Sequence, residues 1–519
     1  MGRPVRSICI VGGGTAGWLT AGILAARHAG ESGLEITLIE SETIGIIGVG
    51  EGTWPTMRST LKKLGIAETD FFRQCNASFK HGAKFARWVS GQESDFYYHP
   101  LMLPEGFPGL DLAPFWMQHS EGRRDVPSFS DAVCFQEAVC EAGLAPKLIT
   151  TPEYAGVANY AYHLDAGRFA GYLRDHCVGT LGVRHIVDDV IEVVKGRTGL
   201  GEDIIDHVQT RKSGRIGGDL FIDCSGFRSV LLGEAMGVPF VDRSDVLFID
   251  RALAMQVPYD DAHGAITPYT VSTAQKHGWI WDIGLQSRRG VGYVFSSNHT
   301  NAEAALAELR AYVGSRHQEL QPREIKIPCG HRRTFWRGNC VAVGLAAGFL
   351  EPLESSALVL IELSADMISS MLPATRESLG IIARRYNETT QYRWDRIIDF
   401  LKLHYVLSQR TDSTFWIDNR APESIPQSLQ DQLELWRHRA PGDQDFTSSC
   451  EMFPAASYQY VLFGMGFRMD ARQRPPERLS GQAQRAFAEN DRLKTRWTKT
   501  LPRNRELIDK IKEFGLQKI

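Results

Sequence analysis

A chain of 519 residues, 43% hydrophobic and 23% charged with a formal net charge of −3, has room for about two or three substructures and more than one layer of core. Acidic and basic residues are mixed along it, so no basic stripe points to nucleic acid or an acidic membrane surface, and no apolar run approaches the roughly 20 residues of a spanning helix. Nine cysteines leave one over if paired and form no CxxC motif; with no export-signal pattern at the start, reduced thiols and a cytoplasmic location are expected.

The first informative stretch is Ser7-Ile-Cys-Ile-Val11, apolar and β-branched, broken by Gly12-Gly-Gly-Thr-Ala-Gly17. Helical spacing follows from Trp18 to His28, then a second strand pattern from Leu34 to Ile39 that ends at Glu40. Gly12, Gly14 and Gly17 make GxGxxG between strand and helix, allowing a tight turn, approach of backbone to a pyrophosphate, and close helix packing. Thr15 and Ala16 share that turn, where the helix N-terminus faces phosphate charge. Glu40 is placed to accept hydrogen bonds from ribose hydroxyls. The bland alternative is a glycine-rich structural turn, and the motif alone does not separate FAD from NAD.

An aromatic- and proline-rich stretch to about Thr150 reads as an insertion. Tyr160 to Cys177 predicts a strand and then a helix with Phe169, Tyr172 and Leu173 on one face. Strands are expected over Val183 to Val194 and Asp219 to Ser225, several more between Arg251 and Ser297, and a short one over Cys340 to Val343. A helix is expected from Leu353 to Leu372, and mostly helix from Ile381 onward. The basic stretch Arg492 to Lys512 reads as a solvated surface helix. There is no internal repeat or low-complexity tract.

Five further segments stand out: Gly48-Val-Gly-Glu-Gly-Thr-Trp-Pro55; Cys75 to Trp88, holding Lys80; Phe221-Ile-Asp-Cys-Ser-Gly-Phe-Arg-Ser229; Gly278-Trp-Ile-Trp-Asp-Ile283 with Gly292-Tyr-Val-Phe-Ser-Ser297; and Val343 to Ser355. Each has an ordinary reading. A lysine such as Lys80 is usually a solvated surface charge, although Phe79, Phe85 and Trp88 surround it in sequence. Trp279 and Trp281, two apart, are ordinarily strand aromatics filling a core. Glu354, near a helix start, suits the helix dipole.

Taken together and in this order, the segments resemble the flavin-dependent halogenases usually called tryptophan halogenases. The resemblance implies an α/β, FAD-binding Rossmann-like fold of the flavin monooxygenase/glutathione reductase type, with an inserted substrate region and a helical C-terminal part. The expected organisation is a FAD-binding module over residues 1–400, with insertions at about 80–160 and 245–330 contributing to the substrate site, and a mostly helical region over 401–519. Family positions fall on Gly12, Gly14, Thr15, Ala16, Gly17, Glu40, Val190, Leu345 and Leu358 for the cofactor and on Ser356 and Ala357 for halide. Lys80, Glu354 and Ser355 take the catalytic positions, and His99, Leu101, Trp279 and Trp281 the substrate pocket. No metal is expected.

No side chain oxidises halide, so the oxidising power must come from a cofactor. By resemblance, FADH2 and O2 form a flavin hydroperoxide that chloride or bromide attacks, and the resulting hypohalous acid reaches Lys80, which presents the halogen to the arene. Glu354 orients it or takes the proton lost from the ring. Only one GxGxxG opens a strand and helix, which implies a separate NAD(P)H-dependent flavin reductase; a homodimer is left open.

The chain departs from the family pattern at four places. Ser355-Ser356-Ala357 replaces Ser-Thr-Gly, Ile283-Gly284 lacks the proline after the WxW pair, and His99-Pro100-Leu101 has lost a Phe. Met452 to Tyr458 and Tyr460 to Phe467 resemble a branch with less defined substrates. An indole, phenolic or pyrrolic acceptor is therefore expected, with bromide used at least as readily as chloride. The competing readings are a flavin-dependent aromatic hydroxylase and a non-catalytic FAD-binding protein.

Overall fold

Ser7–Val11 forms a strand and Thr15–Arg27 a helix, as the change in hydrophobic period from about two to about 3.6 requires. The structure, a computed structural model, describes residues 4–28, 33–45, 50–123, 126–198, 201–470 and 475–518. It divides into two compact units: Met1–Asn76, Leu164–Arg243 and Ile327–Trp394 form the first, and Ala77–His163, Ser244–Lys326 and Asp395–Ile519 the second. Of the segments read from sequence as insertions, 80–160 falls within the second, and 245–330 does so up to Lys326.

The first unit is built on a six-stranded sheet in the order Trp336–Arg337, Cys340–Ala342, Leu220–Asp223, Ser7–Val11, Glu35–Glu40, Arg184–Val187. Every neighbouring pair is parallel except the first. Parallel neighbours need crossovers that cover the sheet faces. Thr15–Arg27 is such a crossover, largely buried and packed against the helices Ala166–Gly179 and Ser356–Ser370. A small antiparallel sheet, Gly214–Gly217, Asp203–Thr210 and Val190–Arg197, completes the α/β unit.

The second unit holds a seven-stranded sheet ordered Arg323–Lys326, Arg251–Pro258, Arg288–Phe295, Gly278–Gly284, Thr270–Gln275, Gly82–Ala86, Phe96–Pro100. It is antiparallel but for Thr270–Gln275 against Gly82–Ala86. One face packs Leu253, Ile280 and Tyr293 onto Ala305 and Leu309 of the Ala302–Val313 helix. Strand side chains alternate, so Trp279 and Trp281 fall on the other face. Trp281 lies opposite Gly292 in the next strand, and a Cβ built on Gly292 would stand 2.1 Å from the indole Cζ2. All nine cysteines are free, and among the described residues no helix is long and apolar enough to cross a membrane.

Three elements differ from expectation. Val183 to Val194 is two strands in two sheets, because the Asp188 carboxylate accepts the backbone N–H of Lys212 at 2.9 Å and of Ser213 at 2.7 Å and turns the chain there. The helix expected from Leu353 starts only at Ser356. Arg492 to Lys512 is split into Ser480–Thr500 and Asn504–Phe514 around Pro502, which has no N–H to continue a helix. The second of these is not simply solvated, since Leu507, Ile508 and Ile511 are buried.

Gly292→Ala is expected to destabilise the fold by about 1–3 kcal/mol through overpacking against the indole, read from a denaturant midpoint. The Gly292→Ala/Trp281→Ala double variant should lose less than the sum of the two single changes, and strict additivity would show that the ring is not the obstacle.

Candidate active site

At the dinucleotide turn, Gly12 has φ +117, and a Cβ there would lie 2.1 Å from the Cys224 carbonyl oxygen. A Cβ on Gly17 would lie 1.9 Å from the Gly12 oxygen. These two glycines are needed for strand-to-helix packing itself. Gly14 is different, because a Cβ built on it meets nothing within 4 Å among the described residues. The helix that starts there has no side-chain cap and no acid in its first turn, so its first amides are available to an anion. Thr15 Oγ1 is buried with no hydrogen-bond partner among the described residues.

The other sequence-chosen cofactor residues gather around the same strand ends. A Cβ on Gly344 would come 2.6 Å from Ala16 Cβ, which sets the Gly344–Ala346 turn with Leu345 against the start of this helix. Leu358 is buried in the Ser356–Ser370 helix that packs on it. Glu40 ends its strand beside Gly13, and its Oε2 stands 3.0 Å from His185 Nε2. The Asp188 N–H donates to the Glu40 carbonyl at 2.9 Å, and Val190 begins the next strand. This is the carboxyl edge of a parallel sheet, where such folds take nucleotides. An open glycine, an uncapped helix and an orphaned hydroxyl fit the pyrophosphate of a dinucleotide such as FAD. The roles of Gly13 and His185 were not foreseen; His185 is distant in sequence and carries no motif.

The second feature of the first unit is the start of the Ser356–Ser370 helix. Glu354 and Ser355 adopt left-handed backbone, with φ 61 and φ 57. Ser356 and Ala357 follow as the first helical residues, again without a side-chain cap or an acid in the first turn. The Trp54 indole N–H donates to the Glu354 carbonyl at 2.8 Å. Two residues on, the helix Thr56–Lys63 begins. Thr56 Oγ1 donates to Glu362 Oε1 at 3.1 Å and Thr60 Oγ1 to Glu362 Oε2 at 2.5 Å. Burial pushes the Glu362 carboxyl up to about 7, against the opposing pull of the Thr60 and Thr56 hydroxyls and Lys63. Gly48 and Val49, the beginning of the motif that contains Trp54, lie outside the described residues.

In the second unit, Lys80 is 3% exposed, which excludes the solvated-surface reading. It ends the short strand Ser78–Lys80, which pairs antiparallel with Ala161–Leu164, Lys80 opposite Ala161 and Ser78 opposite His163. Ser78 Oγ donates to the Gly284 carbonyl at 2.5 Å, and Gln286 Nε2 to the Ala77 carbonyl at 2.7 Å. Both bonds tie the lysine strand to the far end of the strand that carries Trp279 and Trp281. His163 Nε2 lies 2.8 Å from Thr270 Oγ1. Burial first, and then the Lys80 charge, hold this imidazole well below its ordinary value. Ser78, His163, Thr270 and Gln286 were missed because only pairing across strands reveals them.

The expected pocket residues are also in this unit. His99 Nε2 is 2.9 Å from Ser457 Oγ on the buried helix Ala455–Gly464, and its ring lies against Phe400 and Tyr460. Leu101 N–H donates to Gln136 Oε1 at 2.8 Å. Trp279 packs with Trp88, ring centroids 6.2 Å apart, and Trp281 is 7% exposed. His81, beside Lys80 in sequence, was not singled out. It is fully buried, its Nε2 has no partner among the described residues, and burial carries its pKa down to about 3. No group of His, Cys, Asp and Glu among the described residues could hold a metal ion.

A parallel sheet whose glycine turn fits a dinucleotide cofactor defines a dinucleotide-binding α/β protein, and the same chain buries an amine in a β-rich unit. The family model described as tryptophan halogenase matches residues 7–479, and the chain belongs to that family. It is 35% identical over 486 residues to a tryptophan 6-halogenase of Streptomyces toxytricini, covering 89% of this chain and 90% of that one. Its fold superposes on the crystal structure of a tryptophan halogenase from Shewanella frigidimarina NCIMB 400 with a TM-score of 0.95 at 48% identity, over 99% of both chains. A flavin-dependent halogenase from Brevundimonas sp. BAL3 gives a TM-score of 0.86 at 32% identity, over 98% of this chain and 99% of that one. The protein is thus an enzyme, a flavin-dependent halogenase that acts on aromatic substrates.

Gly14→Ala should leave the flavin-free protein as stable as wild type, because its Cβ meets no atom of the described residues, while weakening FAD by about tenfold or more, near 1.4 kcal/mol. Fluorescence titration and thermal denaturation measure the two effects. For Glu362 the sign follows from a raised pKa. Between about pH 4.5 and 7 the folded chain holds a proton that the unfolded chain has lost, so this contribution is complete below 4.5 and falls away as pH rises toward 7. Glu362→Gln should remove about 3 kcal/mol of that slope, and urea midpoints across this pH range that keep the wild-type slope would show the carboxyl is not the cause.

Proposed function

We propose that this halogenase uses reduced FAD and dioxygen to place bromide or chloride on an electron-rich ring such as an indole, with reduced FAD supplied by a separate NAD(P)H-dependent flavin reductase. Bound reduced FAD, with dioxygen, supplies the oxidising equivalents that turn halide into an electrophile. Gly12, Gly14, Thr15, Ala16 and Gly17 hold the pyrophosphate, Glu40 meets a ribose hydroxyl, and Val190, Leu345 and Leu358 line the flavin. Ser356 and Ala357 offer the halide two amides at a helix start whose first turn carries no acid.

The observation that carries the reading is the burial of Lys80 at 3% exposure. An amine withdrawn from water donates a hydrogen bond to the oxidised halogen species, or takes the halogen as a haloamine, without losing it to solvent. His163 stays neutral beside it and adds no second positive charge. Glu354 takes the proton that the arene loses, and Ser355 fixes its backbone. His99, Leu101, Trp279 and Trp281 shape the acceptor site. The relative from Streptomyces toxytricini is a tryptophan 6-halogenase; here Leu101 stands where tryptophan enzymes carry Phe, which favours an indole or a related phenolic or pyrrolic compound over the free amino acid.

The test is mass spectrometry of reactions with reductase, NADH, FAD and halide against an aromatic library. Wild type should give halogenated product with bromide at least as fast as with chloride, and none without the reductase. Lys80→Ala and Glu354→Gln should each reduce product by roughly 10²- to 10⁴-fold while flavin oxidation continues. Wild-type rates in Lys80→Ala, or exclusive chlorination of free tryptophan, would overturn the reading.

A further inference from the structure

We propose that Trp54 is a positioning residue for the halide-binding end of the Ser356–Ser370 helix, its indole N–H pinning the peptide that joins Glu354 to Ser355. Both residues of that peptide are left-handed, Glu354 at φ 61, ψ 5 and Ser355 at φ 57, ψ 38, in a region where side chains larger than glycine are disfavoured. Backbone of this kind relaxes toward the right-handed or extended regions unless partners hold the peptide between the two residues.

Here both polar ends are taken. The carbonyl of Glu354 accepts from Trp54 Nε1 at 2.8 Å, and the Ser355 N–H donates to the Pro352 carbonyl at 3.1 Å. Relaxation of either residue out of the left-handed region would strain or break these bonds and redirect the chain that leads into Ser356 and Ala357.

Trp54 is itself fixed. Pro55 follows it at φ −58 and begins the Thr56–Lys63 helix, and proline holds φ near that value by its ring. The Met57 N–H donates to the Trp54 carbonyl at 3.1 Å. Thr56 and Thr60 then fasten the same short helix to Glu362, about two turns into the Ser356–Ser370 helix. The indole is therefore a donor on a rigid arm anchored to the helix whose start it orders. Phenylalanine in its place keeps the ring and loses the donor.

The kinetic side of this role rests on the halide reading of Ser356 and Ala357; the pinning of the peptide does not. Hydrogen exchange of the flavin-loaded protein and steady-state halide kinetics separate the two. In Trp54→Phe, the Ser355 to Ala357 amides should exchange about tenfold faster, the effect of losing one hydrogen bond, with residues 361–370 unchanged. The halide KM should rise by about tenfold while kcat changes by less than about threefold. Replacing the indole N–H by sulfur with benzothienylalanine should reproduce both effects without a change of shape. Unchanged exchange at Ser355 to Ala357, or equal acceleration along the whole helix, overturns the role of Trp54. Accelerated exchange at those amides in a protein whose wild type halogenates nothing leaves the pinning in place and sinks the halide reading instead.

Discussion

Two successive left-handed residues, Glu354 and Ser355, lead the chain into the Ser356–Ser370 helix and set where it begins. Left-handed backbone at two successive non-glycine residues is disfavoured by roughly 1–2 kcal/mol each, so the surrounding structure has to hold it. It does so with bonds from both flanks of the chain, the Trp54 indole on one side and the Pro352 carbonyl on the other. The same helix packs against Thr15–Arg27, whose N-terminus follows the glycine turn. The two uncapped helix starts of the first unit are thus parts of one packed body, and neither can shift without disturbing the other.

The second unit handles charge by a different route. Lys80 and His163 are withdrawn from water on neighbouring strands, and the energetics of burial favour the uncharged imidazole. Position there depends on backbone pairing more than on side-chain packing. Ser78 and Gln286 bond to main-chain carbonyls, and the register against Ala161–Leu164 does the rest. A site set by strand register is hard to displace by one residue, because a slip would turn every side chain to the opposite face.

Much of the first unit was legible in the sequence because its signals are local. Strand, glycine turn, helix, strand and terminal acid occupy residues 7 to 40 in order, and each is read from neighbours a few positions away. The resemblance singled out Lys80 and Glu354 by motif, while the helix expected from Leu353 begins three residues later, at Ser356. What escaped was long-range: Asp188 breaking an apparently continuous strand through the amides of Lys212 and Ser213, His185 meeting Glu40, and Trp54 reaching Glu354. Hydrophobic period carries no trace of a side chain whose partner lies tens to hundreds of residues away. The left-handed pair at Glu354 and Ser355 escaped for a related reason, since glycine or asparagine is the usual mark of such backbone and neither is present.

The interleaving of the two units bears on how the chain emerges during synthesis. The first gathers pieces that end at Asn76, Arg243 and Trp394, and the second is finished only by the tail from Asp395. The outermost strand pair of the parallel sheet, Trp336–Arg337 with Cys340–Ala342, arrives long after Ser7–Val11 has left the ribosome. Closure over such separations is slow and exposes unpaired strand edges meanwhile. Nascent chains arrested before about residue 394 should accordingly depend on chaperones.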